Sequence, residues 1–491
     1  MSTHPKTRRP LVIASVMASM AMVAIEATIV STAMPQIVTQ LGGLTLYSWV
    51  FSSFLLAQTA MTVVFGKLAD LYGRKPVILA GIAIFLVGSV LAGFAWSMPA
   101  MIVFRLIQGI GAGAIQPVTL TIVGDLYPAK ERGKIQGYLA SVWAISAVVG
   151  PMAGGLIIRD LSWAWIFWIN IPIGLASAAG FISFLHEQER HSQPSIDIPG
   201  AALFTLAIGA LMFALTDIGT AHQTSAWIAF GVFVVSSVLF VLQERRAPDP
   251  MISFSLWGHR PIAAANAATV FSGMALMGLT TFLPMYVQGV LHRTPVVAGL
   301  ALTMMMVGWP LGATLSARNF HRFTLRRILV TGSGVIPVAA ILFVVLNPES
   351  SPVVAAMGSL FMGLGMGMAS VSSLVLIQEL VDPSQRGSAT ASNLFSRNLG
   401  STLGATVFGA VLNYGLTHSK HLGVVTLDEL KPLLEGTPGS VAVAGADAIR
   451  LALHQSLHAT FVAIFVVAVA VLGSAMVIPA LPLGKMRRVG V

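Results

Sequence analysis

With 491 residues, 56% of them hydrophobic, only 9% charged and no cysteine, the chain is too apolar for a soluble multidomain protein, whose charged share runs near about a quarter. Fourteen spans of about 20 residues would occupy roughly 280 residues, close to the hydrophobic fraction, so lipid is the expected solvent. The lack of cysteine excludes a disulfide framework, thiolate chemistry and Cys-ligated metal centres, and the net charge of +10 has to be located before it identifies a partner.

Apolar runs bounded by Gly, Pro and charge predict helices over 10–34, 46–66, 76–96, 99–124, 134–158, 165–186, 198–217, 226–243, 261–287, 296–317, 327–346, 352–378, 388–415 and 457–481. The first run is about 24 residues long and leads into further spans, so it reads as a membrane helix rather than a cleaved signal. It contains Glu26, which alone among eighteen carboxylates falls well inside a span. The second span ends in G-K-L-A-D-L-Y-G-R-K, Gly66 to Lys75. There Asp70 is placed to receive N–H groups and positive charges of neighbouring helix ends, followed by Gly73, Arg74 and Lys75. The fourth span holds Arg105 and Gln108 in R-L-I-Q-G-I-G-A-G-A; an arginine in hydrocarbon is unfavourable enough to mark function. The fifth carries Gly137, Gly150, Pro151, Gly154 and Gly155, small residues that allow close helix crossing and a proline-dependent bend.

Further along, Trp163, Trp165 and Trp168 read as interface anchors. Two spans, 198–217 and 226–243, are bracketed by the polar linkers Glu187–Ser195 and Gln243–Pro250. Met304 to Met306 with Met357, Met362, Met366 and Met368 either line an adaptable pocket or fill core. Arg397 falls near mid-bilayer with no intramembrane acid in its half of the chain, which leaves backbone carbonyls, water or an anionic substrate group as its partners. A loop over 416–456 precedes the last span and includes Thr426–Leu434, which reads as a short amphipathic helix.

Charge sets the orientation. Loops on the side of the N-terminus carry 21 Lys and Arg, against five on the other side, of which three lie in the one long loop. By the excess of basic residues in inner loops, both termini are cytoplasmic and the chain is a multi-pass protein of the cell membrane. The basicity is a topology signal rather than a nucleic-acid footprint.

Gly109, Gly111 and Gly113 followed by Arg132 and Gly133 recur as Gly363, Gly365 and Gly367 followed by Arg386 and Gly387, always 254 residues apart, and Gly150 falls on Gly404 at the same offset. Helices of one direction repeated at one offset predict the parallel two-half architecture of transporters. The expected division is a six-helix bundle over 1–186, a linker with two additional helices over 187–255, and a second six-helix bundle over 256–491.

On these residues the chain resembles the major facilitator superfamily, and within it the fourteen-helix drug:proton antiporters. Gly66–Lys75 is similar to the family's cytoplasmic gate motif, with Leu71 where arginine is frequent. Arg105–Ala114 resembles the motif associated with proton transfer. The glycines and proline of the fifth span resemble the antiporter motif, with Ser146 at a usual glycine; the resemblance implies that they seal an export cavity, where plain close packing is the other reading. Trp163–Gly174 is similar to a signature of the fourteen-helix group, with Ala164 at a usual arginine. Ala24–Pro35 resembles the family's first-helix motif with Glu26 in the acidic position, and Arg386–Thr390 and Phe395–Gly404 resemble it in the second half. An all-α membrane fold of two pseudo-symmetric six-helix bundles plus two linker helices is implied.

A rise of 1.5 Å per residue puts Glu26 roughly 25 Å from Arg9 and Arg105 roughly 9 Å from Pro99, at similar depth in a core of about 30 Å. The two are therefore expected to face one cavity, in contact directly or through Gln108. Glu26 is then either a carboxyl that takes and surrenders a proton as the cavity opens and closes, or half of a permanent structural pair. All eleven histidines lie in loops or near span ends, so no intramembrane metal or His/Asp catalytic site is expected. No phosphate-binding G-x-x-x-x-G-K-[ST] motif occurs, so ATP-driven pumping by this chain alone is not expected, and the resemblance implies the proton gradient as energy source, with no cofactor. The expected activity is export of amphipathic, cationic small molecules in exchange for protons. Export of one endogenous metabolite and an uncoupled sensor or lipid-handling protein are the alternatives.

Overall fold

The computed structural model describes residues 7–42, 46–187, 197–217, 223–247, 258–320, 322–417 and 446–479. Described secondary structure is helical apart from turns. In chain order the helices are α1 (Arg9–Leu41), α2 (Tyr47–Tyr72), α3 (Arg74–Gly93), α4 (Met98–Leu126), α5 (Ala129–Asp160), α6 (Trp165–Trp168), α7 (Asn170–Phe184), α8 (Ile198–Asp217), α9 (Gln223–Glu244), α10 (Arg260–Gly289), α11 (Pro295–Asn319), α12 (Leu325–Val344), α13 (Pro352–Leu380), α14 (Arg386–Thr417) and α15 (Ala446–Met476). Helices are the expected outcome for apolar runs in lipid, because each satisfies its own backbone hydrogen bonds where no water can.

Among the described residues, thirteen helical segments are long and apolar enough to cross a membrane, α6 and α7 forming one of them as Trp165–Phe184. The predicted span 388–415 is covered by the 32-residue helix α14, whose Asn, Ser, Thr and Gly content makes it the most polar of the long helices. The last helix begins at Ala446 rather than at 457, so the end of the expected outer loop is about three added turns of helix. Thr426–Leu434 lies outside the described residues.

Helix starts follow local chemistry. Ser97 accepts from the Ala100 N–H at 3.3 Å and Thr294 from the Val297 N–H at 3.4 Å, satisfying first-turn donors that have no partner in the helix itself. At α3 the preceding residue is Gly73, held at φ 93°, a conformation that side-chain-bearing residues rarely adopt. The missing cap is supplied from far away: Glu187 accepts from the backbone N–H of Arg74 at 2.7 Å and of Lys75 at 2.9 Å.

The chain forms two compact units. One comprises the described residues up to Gly258 together with Ile377–Phe395; the other comprises His259–Leu376 with the described part of Ser396–Met486. In the first, α4 packs between α2 and α3, α1 packs on α5 and α7, and α8 joins α2 and α9. Glycines set the closeness. A Cβ on Gly109 would meet the Phe54 carbonyl and Ala57 of α2, and one on Gly111 would meet Gly81 and Phe85 of α3. In the second unit the same roles recur: Gly363 lies against Met305 of α11 and Gly365 against Gly332 and Ile336 of α12. The repeated glycines therefore perform one packing task twice, as small residues do where helices approach in lipid. Gly150 against Thr28 of α1 and Gly404 against Met274 of α10 complete the correspondence.

One assignment needs correcting. Trp163 is not an interface anchor: it is 6% exposed, and its indole N–H donates to Gln40 Oε1 at 2.7 Å. Its polar handle is satisfied inside the bundle, so it gains nothing at the lipid headgroups. Trp165 is exposed as expected.

Candidate functional site

Glu26 on α1, Arg105 and Gln108 on α4 are brought together inside the first unit, with exposures of 0%, 2% and 0%. Arg105 Nη1 donates to Glu26 Oε1 at 2.5 Å and to Gln108 Oε1 at 2.6 Å, while Nε donates to the Val50 carbonyl of α2 at 3.1 Å. Its guanidinium also lies 4.3 Å from the Phe54 ring centroid, a favourable place for a desolvated cation. The sequence reading missed two members. Asn170, at the first turn of α7, donates to Glu26 Oε2 at 2.6 Å, and Ser89 of α3 accepts from Gln108 Nε2 at 2.8 Å and from Asn170 Nδ2 at 3.4 Å. Asn170 stood in the Trp163–Gly174 motif as a lone amide before Pro172; its polarity among apolar neighbours was the available signal.

Both oxygens of Glu26 accept hydrogen bonds, as suits an ionised carboxylate. The buried Asn170 Oδ1 has no partner among the described residues. A five-helix network with one unsatisfied amide oxygen beside its acid has room for a second hydrogen-bonding arrangement.

A second cluster lies at the end of the first unit that carries the basic loops, where Ile377–Phe395 belongs to the same unit. Asp70 Oδ1 accepts from the Gly387 N–H at 2.9 Å, and Oδ2 accepts from the Ser388 N–H and hydroxyl at 2.7 and 2.8 Å. An acid is thus seated on the N-terminus of α14, where helix dipole and free donors favour negative charge. Gly66 makes the approach feasible, since a Cβ there would strike Ala391 and Gly387. Arg74 bonds Asp70 at 3.2 Å, Asp125 at 2.9 Å and the Pro383 carbonyl at 2.8 Å. Lys75 Nζ donates to the Ile182 carbonyl at 2.8 Å. With Leu71 in place of arginine, Asp70 takes its compensating charge from Arg74 and from the helix end.

Two ion pairs flank this cluster and follow the repeat. Arg132 bonds Glu379 at 2.8 Å and Arg386 bonds Asp125 at 3.1 Å; both the arginines and the acids are 254 residues apart. Each half contributes one cation and one anion.

Of the fifth-span residues, Gly137 and Gly154 are buried, Gly150 packs on Thr28, and Pro151 follows it in α5. Gly155 has open space where a Cβ would stand. Ser146 is buried and its carbonyl accepts from Thr28 Oγ1 at 3.3 Å. Arg397 is not part of either cluster; it lies in the second unit and lines a small cavity there.

A family model described as Major Facilitator Superfamily matches residues 16–405. The chain belongs to the major facilitator superfamily. It is thus a superfamily transporter and a multi-pass membrane protein. Among curated relatives, it is 31% identical over 442 residues to the multidrug transporter protein MdtP of Bacillus subtilis, covering 89% of this chain and 80% of that protein. It is 34% identical over 413 residues to multidrug resistance protein 3 of the same organism, covering 84% and 81%. Among solved structures, the crystal structure of the human organic anion transporter MFSD10 (TETRAN) matches with a TM-score of 0.63 at 15% identity, covering 94% of this chain and all of that one. That last likeness is one of superfamily fold.

Proposed function

We propose that this transporter exports hydrophobic, cationic small molecules in exchange for protons by alternating access, from the cell membrane, with both termini cytoplasmic. The observation that carries the reading is the fully buried Glu26 held by Arg105 and Asn170. A carboxylate in hydrocarbon is a functional site by default, and the multidrug transporters among the relatives support a reading as an exporter of small molecules.

In the proposed cycle Glu26 exchanges its Arg105 contact for a proton. A proton on Oε2 would oppose the Asn170 N–H now donating to that atom. Rotation of the Asn170 amide would then offer the unpartnered Oδ1 as acceptor, so the proton's arrival reorganises α1 against α7 and frees Arg105 from its counter-ion. The Asp70 cluster with its two flanking ion pairs serves as the cytoplasmic gate, and the six named hydrogen bonds and ion pairs that join the first half of the sequence to the second must part before substrate enters from inside.

The test uses inside-out vesicles with an imposed proton gradient and a panel of lipophilic cations. Addition of substrate is expected to dissipate the gradient in the parent protein and to leave it intact with Glu26→Gln. Unchanged pH-driven export by Glu26→Gln would sink the coupling role.

A further inference from the structure

We infer that the cavity around Arg397 is a binding subsite for the carboxylate or sulfonate group of an amphipathic substrate. This deepens the export reading, since it adds an acid group to the cargo; only its transport arm rests on that reading.

Arg397 of α14 lines the cavity with Thr269 and Ser272 of α10, Ser370 and Ser373 of α13, and Trp309 of α11. It is partly buried, yet among the described residues no carbonyl, carboxylate or aromatic ring engages its guanidinium. That contrasts with Arg105, the other arginine well away from a helix end, whose Nε and Nη1 donate to Val50, Glu26 and Gln108. No Asp or Glu occurs in α10, α11, α12 or α14, and the one in α13, Glu379, is bonded to Arg132 in the first unit.

The hydroxyls sort into two kinds. Thr269 donates to the Ala265 carbonyl at 2.9 Å and Ser373 to the same carbonyl at 3.3 Å, so both are committed to the helices. Ser272 and Ser370 make no hydrogen bond among the described residues and line the same cavity. A cation with a planar fork of donors and two uncommitted hydroxyls match an oxyanion with two or three acceptor oxygens. Trp309 supplies an apolar face for the rest of such a molecule. The cavity is small, so it takes the acid group of a substrate and not a whole drug.

A guanidinium placed in a membrane helix with no protein acceptor among the described residues is unfavourable. A substrate acid supplies what the fold withholds, and does so in a place where a neutral ester could not.

The experiment is fluorescence polarisation of rhodamine B, which bears a carboxylate, and of its ethyl ester, with the purified full-length protein in detergent micelles. The parent is expected to bind the acid about tenfold more tightly than the ester, as suits hydrogen bonds to a charged group. Arg397→Ala is expected to erase that preference by weakening the acid alone, with Arg397→Lys intermediate because the charge remains while the fork is lost. Should Arg397→Ala aggregate in size exclusion, the Ser272→Ala/Ser370→Ala pair takes its place and is expected to weaken the acid selectively. Equal affinity for the two dyes in the parent, or equal loss of both in the variants, overturns the subsite. Proton-driven uptake of both dyes, slowed equally by Arg397→Ala, would leave export standing and remove the subsite. Acid-selective binding with no proton-driven uptake would do the reverse.

Discussion

Among the described residues, Arg105 and Arg397 are the arginines that sit well away from the ends of the membrane helices, one in each compact unit, and their surroundings are opposite. Arg105 is held by Glu26, Gln108, the Val50 carbonyl and the Phe54 ring, whereas Arg397 faces a cavity lined by hydroxyls. The two halves nevertheless repeat their packing, glycine for glycine. On the same offset of 254, Arg105 corresponds to Ser359, whose buried hydroxyl has no partner among the described residues. Duplication has preserved the way helices meet while the chemistry diverged: an internally balanced acid–base network in one half, an unbalanced cation in the other.

The largest effect is expected from breaking the balance in the first unit. Arg105→Met leaves Glu26 buried without its cation and should cost about 3–5 kcal/mol, the range for removing one partner of a buried pair. Thermal unfolding followed by tryptophan fluorescence reads the loss. Adding Glu26→Leu should restore most of that stability and none of the proton coupling; a double variant as unstable as the single one would show that the pair is not an isolated unit.

Next come the repeated glycines. Gly109→Ala and Gly363→Ala each press a methyl into a neighbouring backbone and should cost about 1–3 kcal/mol apiece. Similar losses sharpen the packing equivalence of the halves, and a loss confined to one of them breaks it.

A smaller effect is expected at the reciprocal ion pairs. Asp125 and Glu379 are each 30% exposed, so each pair contributes about 0.5–1 kcal/mol. Arg132→Glu should accelerate substrate-independent opening of the gate, and combining it with Glu379→Arg should reverse the change. Cysteine accessibility of probes introduced near Ser388 in this cysteine-free chain measures it. Failure of the swap to rescue would mean the pairs do not act across the gate.

The smallest effect belongs to Ser359→Ala. Its hydroxyl is buried and unbonded, so removal should change stability by less than about 0.5 kcal/mol or raise it slightly. A clear destabilisation in the same unfolding measurement would reveal a partner for it and weaken the contrast with Arg105.

Much of the fold was legible because lipid imposes a simple rule on sequence. Runs of apolar residues had to be helices, and the predicted spans agree with the helices to within seven residues, except at the start of the last one. The start of α15 at Ala446 escaped because its first turns are polar enough to resemble loop. Trp163 was misplaced for a related reason: aromatic residues at a span end suit the interface and the core equally well, and Gln40, 123 residues away, decided between them. At the site, Glu26 and Arg105 could be put at one depth from helix rise alone, with Gln108 beside Arg105 on the same helix. Asn170 and Ser89 could not, since a neutral polar residue in a span carries little signal until its partner is known.

The amino-acid sequence by itself determined the solvent, the positions of most helices, the internal repeat and the identity of the few charges held in hydrocarbon, because each follows from local composition or from spacing along one chain. Only the tertiary structure decided which charges are matched. Helix rotation and crossing place Asn170 against Glu26, the α14 terminus on Asp70 and, among the described residues, no acceptor on Arg397, and these depend on contacts between residues up to 318 positions apart, which no local pattern encodes.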